Sequence, residues 1–492
     1  MFCRIVVCDS IRVKMNFSNI MIKILSGRSA GGILKVLTRL AYTDWLRRPA
    51  FRWFTNRLYG GPGKIDSQRR LLYFALLSTV SRLVERRAIS VGVVSKVVLL
   101  WARALLIPAS KIQAVVDFRN QNGVDPPWFI TISPGQSCNL KCKGCYAAST
   151  SGGNKLDWST LEHIVNEAKT LWGIRLVVFS GGEPLLYSSQ GKGVLDIVEQ
   201  NPDLLFLMFT NGTLVNETMA TRLSRLGNLT PAFSVEGMRA LTDDCRGEGV
   251  FNMVMNGIKL VRKAGVPFGV SISVTRHNYE EVLSDEFLEL FFNELGAFYA
   301  FFFQYLPIGR QPSFELMPTP AQRLSFWRRA WEVIEDKRLF LIDFWNHGPL
   351  VNGCISAGRA GGYLYIDWNG NVMPCVFAPY AAANINQIYD NGGTLNDIWA
   401  LPFFQAIRDW QVDYGYGAHA LSTEGNWLSP CPFRDHYNLF RSWIEQYRPE
   451  PEDDSARQAL LDWHYYKYMV EYGAKFRESS QKIWDEEYLS PP

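Results

Sequence analysis

From residue 126 to 310, short apolar runs alternate with longer helical stretches, and this alternation constrains the fold more than any other property of the chain. The runs are Trp128–Ile132, Leu176–Phe179, Leu204–Phe209, Thr230–Val235, Phe268–Val274 and Ala300–Tyr305. Each is too short for a helix and reads as a strand, with Leu176–Phe179 apolar enough to be buried. Trp158–Leu171 has helical spacing, and the segments from Glu217, Asn252 and Glu280 onward supply further helices. Strands alternating with helices predict an α/β fold with a parallel sheet and right-handed crossovers. Such a fold gathers its functional residues just after the strand ends.

The first strand end is followed by Cys138-Asn-Leu-Lys-Cys142-Lys-Gly-Cys145. Three thiolates at this spacing can hold three irons of a [4Fe–4S] cube and leave the fourth open for chemistry. A zinc knuckle or a disulfide framework are the alternatives. Structural zinc wants four ligands, and no fourth Cys or His lies nearby; the next histidine after His163 is His277. The second strand runs into Ser180-Gly181-Gly182-Glu183-Pro184. Phe209-Thr210-Asn211-Gly212-Thr213, Phe233-Ser234-Val235-Glu236-Gly237 and Arg246-Gly-Glu-Gly-Val-Phe251 follow later.

In this order the set resembles the radical S-adenosylmethionine (SAM) superfamily over residues 126–310. The resemblance implies a partial (βα)₆ barrel whose open side admits substrate. It implies a [4Fe–4S] cluster on Cys138, Cys142 and Cys145, with SAM bound to the open iron. It also implies reductive cleavage of SAM to methionine and a 5′-deoxyadenosyl radical, and an electron donor such as flavodoxin or ferredoxin. Gly181, Gly182 and Glu183 are expected to hold the methionyl ammonium, Ser234 and Glu236 the ribose hydroxyls, and Arg246 the methionyl carboxylate. Thr275 and Asn278 are further contacts by position only. For Glu236 and Arg246 a surface ion pair is the alternative. One position departs from the family pattern. Many members carry an aromatic residue immediately before the third cysteine, and here it is Gly144; Tyr146 either compensates or belongs to the core.

A second cysteine group lies at Cys354, Cys375 and Cys431, each beside Gly or Pro turns. Asn369-Gly370 between two apolar runs predicts a hairpin that returns Cys375 towards Cys354. Residues 346–440 resemble the start of the auxiliary-cluster (SPASM or twitch) extension of radical SAM peptide and protein modifiers, without its later dense cysteines. The resemblance implies one auxiliary [4Fe–4S] cluster, with an open iron or with Asp435, His436 or Cys245 as a further ligand. Three buried, unligated cysteines are the alternative. Residues 311–345 form a linker with a helix over 319–336. The tail, 441–492, is helical from Asp454 to Tyr488, and its Trp463, Tyr465, Tyr466, Tyr468 and Tyr472 make a packing face first and a lid over substrate second.

The net charge of +4 hides an asymmetry, because residues 1–110 hold 19 Lys/Arg against 4 Asp/Glu and the remainder carries −11. Ile89–Ala109 is mostly apolar but interrupted by Lys96 and Arg103, which are costly in mid-membrane. Residues 1–125 therefore read as amphipathic helices that lie on a membrane surface or dock on the catalytic domain. An N-terminal targeting peptide is a third reading, although no clear cleavage signal follows. Cations interleaved with aliphatics argue against nucleic acid as a partner. Of nine cysteines six stand at ligand-like positions, and Cys3, Cys8 and Cys245 show no disulfide pattern, so a reducing cytoplasm is expected.

Three functions are compatible with these features. The first is a radical SAM enzyme acting on a hydrophobic substrate such as a lipid, at a membrane surface. The second is the same core acting on a peptide or protein. The third, a non-enzymatic iron–sulfur or membrane-associated interaction protein, is disfavoured by retention of the three cysteines and Glu183.

Overall fold

The computed structural model describes residues 61, 63–86, 112–416 and 425–489. Strands β1 (Phe129–Ile132), β2 (Leu176–Phe179), β3 (Leu205–Thr210), β4 (Leu229–Ser234), β5 (Gly269–Val274) and β6 (Tyr299–Gln304) fall where the apolar runs predict them. Neighbours pair in parallel throughout, for example Phe129 with Leu176 and Val177 with Phe206. Helices fill the intervals. Trp158–Trp172 buries Trp158, Leu161, Ile164, Val165, Ala168 and Trp172 along one face and stops at Gly173, whose φ of 61° closes the last turn. Each large apolar side chain in that face contributes about 1.5–3 kcal/mol relative to exposure.

Two features go beyond the six-stranded expectation. A seventh parallel strand, β7 (Leu341–Asp343), pairs with β6. At the other edge, β8 (Tyr365–Ile366) lies parallel to β1 and turns through Asn369-Gly370 into antiparallel β9 (Asn371–Met373). Ala383–Asn384 then pairs with β9. The hairpin is therefore continuous with the catalytic sheet, which runs to ten strands and is not closed. Gly370, with φ 81°, supplies the left-handed turn that returns the chain towards Cys375.

The described part of the basic N-terminal region is docked. Helix Lys64–Glu85 buries Leu72, Tyr73, Ala75, Leu76 and Leu83 in the main core. Its buried Arg69 donates to Leu350 O at 3.1 Å and to Asn352 Oδ1 at 2.8 Å, fastening the helix beside Cys354. Ile89–Ala109 lies outside the described residues, and among those described no helix is long and apolar enough to cross a membrane. The linker helix runs Pro320–Lys337, started by a Thr319/Gln322 capping box. The tail divides into Asp454–Leu461 and Trp463–Ile483, because Asp462 leaves the helical conformation and caps the second helix by accepting from His464 N. That helix packs Tyr465, Met469, Tyr472 and Phe476 inward.

Candidate active site

The loops that follow β1 to β6 converge on one cavity of about 320 Å³. Cys138, Cys142 and Cys145 line it together with Gly181, Gly182, Ser234, Glu236 and Arg246, so eight of the nine residues expected at the barrel site meet there. Thr275 and Asn278 line it as well.

The cysteine loop is fixed from several sides. Cys138 N donates to Thr150 O at 2.7 Å, and Arg310 clamps the loop's far end through its backbone N on Cys145 O, 2.9 Å, and its guanidinium on Cys142 O, 3.0 Å. Gly309 makes that approach feasible. Its φ is 72°, and a Cβ there would clash with the carbonyl oxygens of Cys145 and Tyr146. Gly144 is explained in the same way, since a Cβ would lie 2.8 Å from the Tyr305 ring. The space beside the third cysteine is filled from β6. Tyr146 also lines the cavity, and its hydroxyl bonds Ser180 Oγ at 2.6 Å and receives Gly181 N at 3.0 Å, tying the cysteine loop to the glycine turn.

Leu140 N donates to Cys138 Sγ at 3.4 Å, and two side-chain donors also point at the sulfurs. Asn211 Nδ2 stands 3.7 Å from Cys138 Sγ, and Arg246 Nη1 stands 4.0 Å from Cys142 Sγ. Burial pushes both thiols upward, while the Arg246 charge draws Cys142 back. Thiols in such a setting ionise on meeting a metal, which supplies the missing positive charge.

Glu183 is the expected residue that does not line the cavity. Its carboxylate is buried behind the wall, accepting from Thr210 Oγ1 at 2.8 Å, Asn211 N at 2.7 Å and Leu185 N at 3.1 Å. Three of its roughly four acceptor positions are thus filled by the chain itself. Glu183 fixes the turn that carries Asn211, and Asn211 in turn faces Cys138. This geometry makes Glu183 a brace and leaves the cavity-facing surface of the turn to the backbone of Gly181 and Gly182.

Glu236 and Arg246 do pair, at 2.5 Å, but in the cavity wall and not at the surface. Glu236 Oε2 also receives Ser273 N at 3.1 Å. Burial raises the Glu236 carboxyl, against the pull of Arg246, and Arg246 is held charged by Glu236 and the nearby thiols. Arg246 Nε is buried with no partner, which leaves a donor for an anionic group in the cavity. Asn278 braces this turn, donating to Glu236 O at 2.8 Å and Ser273 O at 2.9 Å.

The second cysteine group also converges. Cys354, Cys375 and Cys431 all line a smaller cavity of about 40 Å³, together with Phe344, Tyr363, Phe377 and Phe433. Each sulfur has a donor or hydroxyl beside it: Ser356 Oγ at 3.1 Å from Cys354, Tyr363 Oη at 3.0 Å from Cys375, and Arg434 N at 3.4 Å from Cys431. Burial pushes Cys431 up to about 12, so a cation is again needed to ionise the group. All seven described cysteines are free thiols.

Two family models match stretches of the chain that carry these cysteines. The radical SAM superfamily matches residues 132–287, and an iron–sulfur cluster-binding SPASM domain matches residues 354–431. An AdoMet-dependent heme synthase of Nitratidesulfovibrio vulgaris is 30% identical over 295 residues, covering 52% of this chain and 75% of that protein. The chain belongs to the radical SAM superfamily. A second AdoMet-dependent heme synthase, from Methanosarcina barkeri, is 28% identical over 341 residues, covering 60% of this chain and 93% of that protein. The sporulation killing factor maturation protein SkfB of Bacillus subtilis is 29% identical over 262 residues, covering 51% and 60%.

As a radical SAM enzyme with a SPASM domain, the chain requires a [4Fe–4S] cluster and SAM, and the domain implies auxiliary iron–sulfur ligation. The donor sets fit these groups: two thiol triplets each line one cavity, and neutral or cationic donors face the sulfurs. Among the further ligands considered for the auxiliary site, none faces it freely. Cys245 lines the barrel cavity, its carbonyl accepting from Lys143 N at 2.9 Å. Asp435 is fully buried between Arg323, at 2.6 Å, and Arg434, at 3.1 Å, and these cations hold its carboxyl well below the usual range. His436 Nε2 is engaged with Ser429 O at 3.1 Å. Sequence reading missed Asn211, Tyr305, Arg310 and Tyr363 as members of the sites. Asn211, Tyr305 and Arg310 stood at or just after strand ends, which could have flagged them, whereas Tyr363 carries no local signal.

Proposed function

We propose that this radical SAM enzyme abstracts a hydrogen atom from a carbon in an apolar portion of a hydrophobic substrate. The observation that carries the reading is the cavity's inner wall. Phe209, Phe301, Phe303, Phe344 and Phe377 line it, and they pack on one another with centroid separations such as 5.5 Å for Phe209–Phe303 and 5.6 Å for Phe303–Phe377. Such a wall binds hydrocarbon and excludes water, which protects a reactive carbon radical from competing donors.

The cluster and SAM, when bound, supply a primary carbon radical. The chain's own residues hold and orient. Cys138, Cys142 and Cys145 would ligate the cluster, with Asn211 and Arg246 compensating the sulfur charge. Gly181 and Gly182 would receive the methionyl ammonium through their backbone, and Ser234 and Glu236 would accept from the ribose.

Similarity to heme synthases suggests a tetrapyrrole, but a heme carries carboxylates that need cations. Of the basic side chains lining the cavity, Lys143 is paired with Asp244 at 2.6 Å, His277 sits exposed at the rim, and the unpartnered Nε of Arg246 would be taken by the methionyl carboxylate. An uncharged substrate portion suits this lining better. A second reading, an apolar side chain of a peptide, is favoured by the SPASM domain and the similarity to SkfB. Comparative lipid and peptide profiling of cells with and without the gene separates the two. Candidates then go to purified enzyme in deuterated form. Deuterium carried from a lipid-like molecule into 5′-deoxyadenosine supports the first reading, and loss of only a small modified peptide rejects it.

A further inference from the structure

Tyr363 is a wall of both cavities at once. Its ring is 2% exposed and stacks on Phe129 of β1 at 4.8 Å, with 13° between the planes. Its backbone is pinned to the Cys354 loop, with Tyr363 N donating to Ile355 O and Gly358 N donating to Tyr363 O, each at 2.9 Å. Its hydroxyl stands 3.0 Å from Cys375 Sγ. Phe344 and Phe377 also line both cavities, but their side chains have no polar atom. Ser356, the hydroxyl beside Cys354, lines only the smaller one. Arg434 N and Phe377 N approach Cys431 and Cys375 from the backbone. Tyr363 is therefore the one lining side chain, among the described residues, that joins a cysteine sulfur of the auxiliary site to the wall of the substrate cavity.

We propose that Tyr363 is a positioning residue that couples the two centres: its hydroxyl donates to the Cys375 sulfur and sets the reduction potential of the auxiliary cluster, while its ring faces the substrate cavity. The direction follows from chemistry. A ligating cysteine is a thiolate without a proton, so the phenol must be the donor. A hydrogen bond to a ligand sulfur spreads its negative charge and favours the reduced cluster, which carries one more electron. Removing the bond while keeping the ring should lower the potential of that cluster alone.

The inference rests on the auxiliary cluster, not on the identity of the substrate, so it survives failure of the hydrophobic-substrate reading. The test is an anaerobic redox titration of the reconstituted full chain followed by electron paramagnetic resonance, for wild type, Tyr363→Phe and Tyr299→Phe. Tyr299 is a buried tyrosine whose hydroxyl bonds Thr230 Oγ1 at 3.0 Å, and it lines neither cavity. The expected result is a downward shift of the auxiliary midpoint in Tyr363→Phe only. Iron content and the barrel-cluster midpoint should match wild type. An unmoved auxiliary midpoint overturns the proposal. So does loss of the auxiliary iron in Tyr363→Phe, which would make the hydroxyl a ligand and not a tuning group. Wild-type protein that retains only one cluster's iron overturns it as well.

Discussion

Glu183→Gln separates a brace from a direct SAM ligand. In the native turn, Oε1 accepts from Thr210 Oγ1 and Leu185 N, and Oε2 accepts from Asn211 N. A glutamine can keep its carbonyl towards Asn211 N, but its amide nitrogen then faces the Leu185 N–H. Thr210 can rotate to accept; Leu185 N cannot. The change replaces charge-assisted bonds with neutral ones and sets one buried donor against another. From the usual worth of such bonds the local cost is about 2–3 kcal/mol. At about 1.4 kcal/mol per tenfold, local opening of the turn becomes roughly 30- to 160-fold more frequent. Hydrogen–deuterium exchange of the Asn211 segment should accelerate by that factor, and iron retention should fall because Asn211 loses its orientation towards Cys138. Unchanged exchange and iron content, with a defect confined to SAM affinity, would refute the brace and return Glu183 to direct ammonium capture.

Other consequences are as direct. Gly309→Ala adds a Cβ at φ 72° against the Cys145 and Tyr146 carbonyls, so the clash adds to the roughly 1–2 kcal/mol conformational cost; thermal melting and iron counting should both show the loss. Asp435→Asn leaves Arg323 and Arg434 buried without their carboxylate, a cost of about 3–5 kcal/mol that a lowered denaturation midpoint and loss of auxiliary iron should report. His347 is pushed down to about 3 by burial, from an ordinary value of 6.5. Below that ordinary value the unfolded chain takes a proton that the folded chain refuses, so this contribution to stability is full above pH 6.5 and is lost as pH falls towards 3. Melting temperatures of wild type should fall more steeply from pH 7 to pH 5 than those of His347→Phe.

Strands β1 to β6 were legible because each is a buried apolar run of adequate length, and the two thiol triplets because cysteine beside Gly or Pro turns is a specific signal. β7 was not legible, since the three residues Leu341–Asp343 carry too little pattern to mark a strand. The attachment of the hairpin to β1 was equally hidden, because the pairing of Tyr365 with Thr131 depends on a separation of more than two hundred residues and on no local preference. Glu183 was found by motif but its contacts were not, for a carboxylate at a turn tip reads alike whether it faces a ligand or its own backbone. Gly144 shows the converse. Its departure from the family pattern is unexplained in sequence and explained in space, by the Tyr305 ring arriving from β6.

The central claim is that Cys138, Cys142 and Cys145 form a SAM-cleaving centre. Its most direct measurement is the release of 5′-deoxyadenosine from anaerobically reconstituted protein given SAM and a strong reductant. Wild type should release the nucleoside well above background, and Cys142→Ala, folded but lacking one cluster ligand, should not. Equal, background-level release from both proteins would contradict the account.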